Sequence, residues 1–253
     1  MKLFRQSFGE GPPLLIIHGL LGASGNWQSI AKNRFAPHFR TITVDLRNHG
    51  KSPHSSDFAY SNMAEDILEL MQDEGIKDAH ILGHSMGGKL AMHLALEHQE
   101  IVDKLIVADI APRAYHSRHE AIFRALHEVQ PPLFDSRAEV DAAMQHMIPE
   151  PGLRQFLLKN LHRNDSGLAW KMNLSAIESH YSDILSEVES WEVFEGDVLF
   201  IRGERSDYLS ESDVPAIRAL FPFAEHVSMP EAGHWLHADN PTLFADLALS
   251  FLL

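Results

Sequence analysis

Gly83-His84-Ser85-Met86-Gly87 sets a serine between two glycines at the spacing of a nucleophile elbow. A serine hydroxyl attacks carbonyl carbon only when a base takes its proton, and the base needs a carboxylate to hold its tautomer. Ser85 is therefore the candidate nucleophile, with acid and base expected later in the chain, in the order Ser, acid, His. Among 17 histidines, His234 in Gly233-His234-Trp235 lies in a turn between the expected last strand, 224–229, and a helix opened by Pro241. It is the candidate base. His237, three residues on, reads as a packing or hydrogen-bonding residue. Two aspartates compete for the acid: Asp109 ends the run Lys104-Leu105-Ile106-Val107-Ala108, and Asp207 follows Gly203-Glu204-Arg205-Ser206. Asp109 is placed ahead because a buried strand leads directly into it, while Asp207 in Ser-Asp-Tyr also suits a turn. Asp45 reads as a loop-anchoring carboxylate paired near Arg47. An oxyanion would be met by the backbone N–H of Met86 and by one from His18-Gly19-Leu20-Leu21-Gly22, best supplied by Leu20. Lys89, one turn into the elbow helix, reads first as a solvated charge and second as a contact for a polar substrate.

These groups need a scaffold that brings strand ends together. Leu14-Leu15-Ile16-Ile17, Thr41-Ile42-Thr43-Val44, Ala79-His80-Ile81-Leu82, 104–109 and Val198-Leu199-Phe200-Ile201 are too continuously apolar for a sheet with one wet face. Helical patterns lie between them: Met63, Ile67, Leu68, Leu70 and Met71 on one face, and Leu90, Leu94 and Ala95 on another. Strand alternating with helix predicts an α/β fold with a mostly parallel, doubly wound sheet. The alternation stops over 112–191. There, Ile122, Phe123, Leu126 and Val129 predict one helix and Leu153, Phe156, Leu157, Leu158 and Leu161 another, punctuated by Pro131-Pro132 and Pro149-Glu150-Pro151. The domain reading is a core of 1–111 and 192–253, with 112–191 as a helical cap over the sheet edge where ligands of open α/β sheets bind. Phe123 and Phe156 are expected to line an acyl pocket there.

Composition narrows the function classes. Of 253 residues, 45% are hydrophobic and 22% charged, as in folded globular proteins. The formal net charge of −14 opposes binding to nucleic acid or an anionic bilayer. With no cysteine there is no disulfide, thiolate metal site or Cys nucleophile. Met1 to Pro13 is broken by Arg5, Glu10 and two glycines, and no stretch approaches a membrane span, so a cytoplasmic address is the expectation. No cofactor and no metal are expected, and the expected partner is a small-molecule ester substrate, with no nucleic acid and no membrane insertion.

The motifs together resemble a known family. His18-Gly19, Asp45-Leu46-Arg47-Asn48-His49-Gly50-Lys51-Ser52, Gly83 through Lys89, Asp109-Ile110-Ala111-Pro112 and Ala232-Gly233-His234-Trp235-Leu236-His237-Ala238 are similar to α/β-hydrolases of the bacterial esterase YbfF type, a group with mitochondrial relatives. The resemblance covers nearly the whole chain. Arg-Asn-His-Gly, where most hydrolases have Arg-Gly-His-Gly, narrows it. It implies carboxylesterase activity on short acyl esters or acyl-thioesters without a cofactor, and its acid position maps onto Asp109. Many members lack an aspartate at the position of Asp207, which this chain has, so both carboxylates stay in play. The expected activity is a serine carboxylesterase acting on short- to medium-chain acyl esters through an acyl-enzyme. Rivals on the same scaffold are an acyl-CoA thioesterase or alcohol acyltransferase, with Arg113, Arg118 and Arg124 available to a CoA phosphate, a carbon–carbon hydrolase or related synthase, and a non-catalytic ligand receptor.

Overall fold

The run Leu14-Leu15-Ile16-Ile17 forms β2 (Pro13–Ile17) of a seven-stranded sheet in the computed structural model, which describes residues 1–253. It is flanked by β3 (Arg40–Val44) and β4 (Ala79–His84), followed outward by β5 (Val102–Ala108), β8 (Asp197–Gly203) and β9 (Glu225–Met229), all parallel. The remaining edge is β1 (Arg5–Phe8), antiparallel to β3, which gives the order β1-β3-β2-β4-β5-β8-β9.

Both faces of this sheet are covered, which is why its strands read as unbroken apolar runs. Leu15 and Ile17 join the core made with the helices Tyr60–Asp73 and Met86–Glu97, whereas Leu14 and Ile16 join Trp27, Phe35 and the C-terminal helix Pro241–Leu252. Successive residues of a strand point to opposite faces, so one strand supplies two cores. Each such fully buried Leu or Ile contributes about 1.5–3 kcal/mol relative to exposure.

The segment between β5 and β8 carries helices Glu120–Glu128, Arg137–Met144, Pro151–Leu158, Leu174–Ser179 and Tyr181–Leu185, and also an antiparallel hairpin of β6 (Leu161–Asn164) and β7 (Gly167–Trp170). A purely helical insert is thus corrected. Leu161 belongs to β6 rather than to the preceding helix, because the chain turns at Lys159 and Asn160 and the Asn160 side chain donates to the Leu21 carbonyl at 2.7 Å. The segment leaves and rejoins the sheet side by side, with the Val188 N–H donating to the Pro112 carbonyl at 2.6 Å. No helix is long and apolar enough to cross a membrane.

Candidate active site

A single residue, Ser85, joins β4 to the helix Met86–Glu97, and it adopts φ 53° and ψ −120°. A non-glycine residue in so sparsely populated a region costs on the order of 1–3 kcal/mol and persists only where its surroundings impose it. Those surroundings are backbone bonds: Ser85 N–H donates to the Ala108 carbonyl at 3.0 Å, and the Ser85 carbonyl accepts from Gly88 and Lys89 at 2.8 and 3.0 Å. The flanking glycines are required by close approach. A Cβ on Gly87 would stand 2.5 Å from the carbonyl oxygens of Ile17 and His18, and one on Gly83 would collide with the Gly87 backbone.

His234, on the loop after β9, reaches back over the elbow. Its Nε2 lies 3.0 Å from Ser85 Oγ and its Nδ1 lies 2.7 Å from Asp109 Oδ2. Asp109 follows β5, is fully buried and holds φ 53°. Its Oδ1 accepts from Gly203 N–H at 2.9 Å and its Oδ2 also accepts from the Ser206 hydroxyl, so both oxygens are satisfied. An acceptor-only carboxylate forces the proton of neutral His234 onto Nδ1, which leaves Nε2 free to accept the Ser85 proton. Asp207 is not brought to this site: its side chain is 72% exposed and pairs with Arg118 at 2.7 Å.

Two residues that the sequence did not single out also hold His234. His84 Nε2 lies 2.7 Å from the His234 carbonyl and donates to it; burial holds the His84 imidazole well below its ordinary pKa and so neutral. Tyr208 stacks flat against the His234 ring. His84 sits at a position that the elbow pattern leaves open to any residue, and Tyr208 belongs to no local motif; both contacts join segments far apart in the chain.

The loop after β2 is equally fixed. Leu21 has φ 58°, its N–H donates to His49 Nε2 at 3.1 Å, and its carbonyl accepts from Asn160. His18 accepts from Leu46 N–H on Nε2 at 3.0 Å and turns Nδ1 to the Gly19 carbonyl at 2.8 Å. Burial lowers the pKa of both histidines, that of His49 to about 3 with His18 as a further cause, so each is a neutral ring with a set tautomer. Asp45 anchors two loops, accepting from Ser24 N–H at 2.6 Å and Lys51 N–H at 2.8 Å. Its expected pairing with Arg47 is corrected, because Arg47 binds Asp66 at 2.6 Å instead. Leu20 and Met86 flank Ser85 at the cavity wall, and the Met86 amide, first in its helix, has no acceptor within that helix.

Ser85 and His234 open into a cavity of about 320 Å³ whose apolar wall includes Ile122, Leu153, Phe156, Leu157, Tyr181 and Ile184. Phe156 therefore lies where an acyl-pocket residue was expected. Phe123 does not: one position along its helix from Ile122, it is buried behind the wall with its ring edge-on to Tyr181, centroids 5.1 Å apart. Lys89 is also corrected. It is 1% exposed, donates to the carbonyls of Leu185 and Ser186, and lies over the Tyr115 ring at 4.9 Å, and burial pulls its pKa down to about 7. His237 stacks on Trp27 at 4.0 Å and 18°, and burial lowers its pKa to about 3. Of the arginines expected to meet a phosphate, Arg113 pairs with Asp213 at 2.8 Å and Arg118 with Asp207 at 2.7 Å, so both guanidinium groups already face carboxylates. No group of three or more His, Cys, Asp or Glu side chains is disposed to hold a metal.

The family model of the alpha/beta hydrolase fold matches residues 12–241. The sn-1-specific diacylglycerol lipase ABHD11 of Danio rerio is 38% identical over 251 residues, covering 96% of this chain and 79% of that protein. Esterase YbfF of Escherichia coli K12 is 35% identical over 239 residues, covering 93% and 91%. Among solved structures, a marine microorganism esterase superposes with TM-score 0.96 at 40% identity, covering 99% of each chain.

Proposed function

The chain belongs to the alpha/beta hydrolase fold family, and from that premise we propose that it is a serine carboxylesterase cleaving short- to medium-chain acyl esters through an acyl-enzyme. The observation that carries this reading is the position of His234 between Ser85 Oγ at 3.0 Å and Asp109 Oδ2 at 2.7 Å. Esterase and lipase relatives that match nearly the whole of this chain support it. In this mechanism Ser85 Oγ attacks the ester carbonyl carbon while His234 Nε2 takes its proton. Asp109 stabilises the imidazolium, and the N–H groups of Met86 and Leu20 meet the oxyanion. Collapse breaks the bond to the alcohol, which leaves with the proton from His234. Water then enters, gives a proton to His234 and attacks the acyl carbon; the acid departs and Ser85 regains its proton.

The acyl chain lies along Ile122, Phe156 and Leu157. The cavity volume of about 320 Å³ is at the low end of the roughly 300–1,000 Å³ usual for small-ligand sites, which favours short to medium chains. The same proposal treats 112–191 as a cap on a core of 1–111 and 192–253, since this segment supplies the wall facing Ser85. The test is Ser85→Ala assayed on p-nitrophenyl acetate, butyrate and octanoate. Loss of a triad serine removes several orders of magnitude, so the variant should fall at least about 10³-fold while keeping its fold. Retention of more than about a hundredth of wild-type kcat would sink the reading.

A further inference from the structure

A second cavity, about 530 Å³, adjoins the first and shares Asn26, Phe156, Trp235 and His237 with it. Phe156 and Trp235, ring centroids 5.5 Å apart, stand where the two meet. The lining changes character here. Ser29, Asn33, Arg34, Gln155, Lys159 and Thr242 face the second cavity, in place of the apolar wall around Ser85. Its position relative to the chemistry is set by His234. The leaving alcohol must take its proton from His234 Nε2, so it departs on the His234 side, and Trp235, the next residue, lines both spaces.

The charges in this vestibule are unevenly matched. Arg34 pairs with Asp246, and Asp239 accepts the Gly233 N–H at 2.8 Å. Lys159 is exposed and forms no ion pair, so its ammonium is available to a ligand in the vestibule. The Lys159 charge reaches the neck between the cavities: after burial and His234, it is a further cause holding the His237 imidazole neutral. The lining sets Arg34 and Lys159 against Asp239, a net of one positive charge on a chain whose net charge is −14.

Building on the esterase reading above, we propose that this vestibule receives the alcohol half of the ester and selects alcohols that carry an anionic group, a carboxylate or a phosphate, through Lys159. The test compares butyrate esters of four alcohols: choline, its neutral isostere 3,3-dimethylbutanol, glycolic acid and 2-hydroxyethyl phosphate. In the wild type, kcat/KM for the anionic esters should exceed that for butyrylcholine by about five-fold, the scale of one exposed charge contact. The larger of the two anionic values identifies carboxylate or phosphate as the group recognised. In Lys159→Glu, an exposed substitution whose fold is checked by circular dichroism, the order of anionic and choline esters should reverse, with Lys159→Gln between. An anionic-to-choline ratio that is the same in the wild type and Lys159→Glu overturns the subsite alone. Failure of the folded wild type to hydrolyse any of the four overturns the esterase reading itself.

Discussion

Tyr208 lies flat on His234, with ring centroids 3.8 Å apart and planes 18° from parallel. Its backbone is held on both sides, the N–H by Ser206 Oγ at 3.2 Å and the carbonyl by the Tyr115 hydroxyl at 2.5 Å. Ser206 in turn donates to Asp109, so one short loop touches both Asp109 and His234. An aromatic face against an imidazolium is worth about 0.5–2 kcal/mol.

That contact favours the imidazolium that His234 becomes as it takes the Ser85 proton. Tyr208→Leu is expected to lower kcat roughly 3- to 30-fold. Tyr208→Phe should keep the wild-type kcat. Steady-state kinetics of p-nitrophenyl butyrate hydrolysis check it; an unchanged kcat in Tyr208→Leu would remove the stacking from the mechanism.

The two aspartates should separate sharply. Asp109 is buried and bonded to His234 Nδ1, so Asp109→Asn offers an amide that favours the wrong tautomer and should cut kcat by roughly 10³–10⁴. Asp207→Asn removes only a solvent-exposed pair with Arg118, a contact worth about 0–1 kcal/mol. Its kcat should stay within a few-fold of wild type. Comparable losses in the two variants would show that the acid has been misassigned.

Chain-length preference should follow the wall and not the residues behind it. Ile122→Ala and Phe156→Ala enlarge the cavity and should shift preference from acetyl toward octanoyl esters, at about 1–3 kcal/mol per methylene accommodated. Phe123→Ala, at a buried position off the cavity, should instead cost about 3–5 kcal/mol of stability. Melting curves alongside acyl-length profiles distinguish the two outcomes, and a profile unchanged in both Ile122→Ala and Phe156→Ala would exclude them from the acyl pocket.

The pattern of legible and illegible features has a physical basis. Strands such as β2 and β5 announce themselves because both faces are buried, and the elbow does so because only glycine fits at 83 and 87. β1 escapes notice: it is four residues long, alternates exposed and half-buried positions, and gains its place from backbone pairing to β3. Asp109 and Asp207 both follow sheet strands, and only the return of the β9 loop separates them. Lys89 looks solvated because its type usually is, yet Leu90 and Ala91 beside it are buried too, and the helix is enclosed nearly all round. A helix with no wet face gives its lysine nowhere to go.

His49 offers a test of the loop that carries Leu20. In the folded chain its pKa is lowered from an ordinary 6.5 to about 3, with burial the main cause and neighbouring His18 the next, and its Nε2 stays an acceptor for Leu21 N–H. A folded-state pKa below the unfolded one means that the unfolded chain binds the extra proton first. The contribution to stability is therefore complete above about pH 6.5 and is lost progressively as pH falls toward 3, at up to ~1.4 kcal/mol per pH unit for each such histidine. In His49→Gln the side-chain oxygen can still accept from Leu21 but does not titrate. Urea unfolding at pH 8, 6, 5 and 4.5 should give a wild-type stability that drops more steeply than that of the variant, the difference in slope corresponding to about one proton. Parallel pH dependences in the two proteins would mean that His49 is already protonated in the folded state, and the neutral hydrogen-bonded ring holding Leu21 would have to be abandoned.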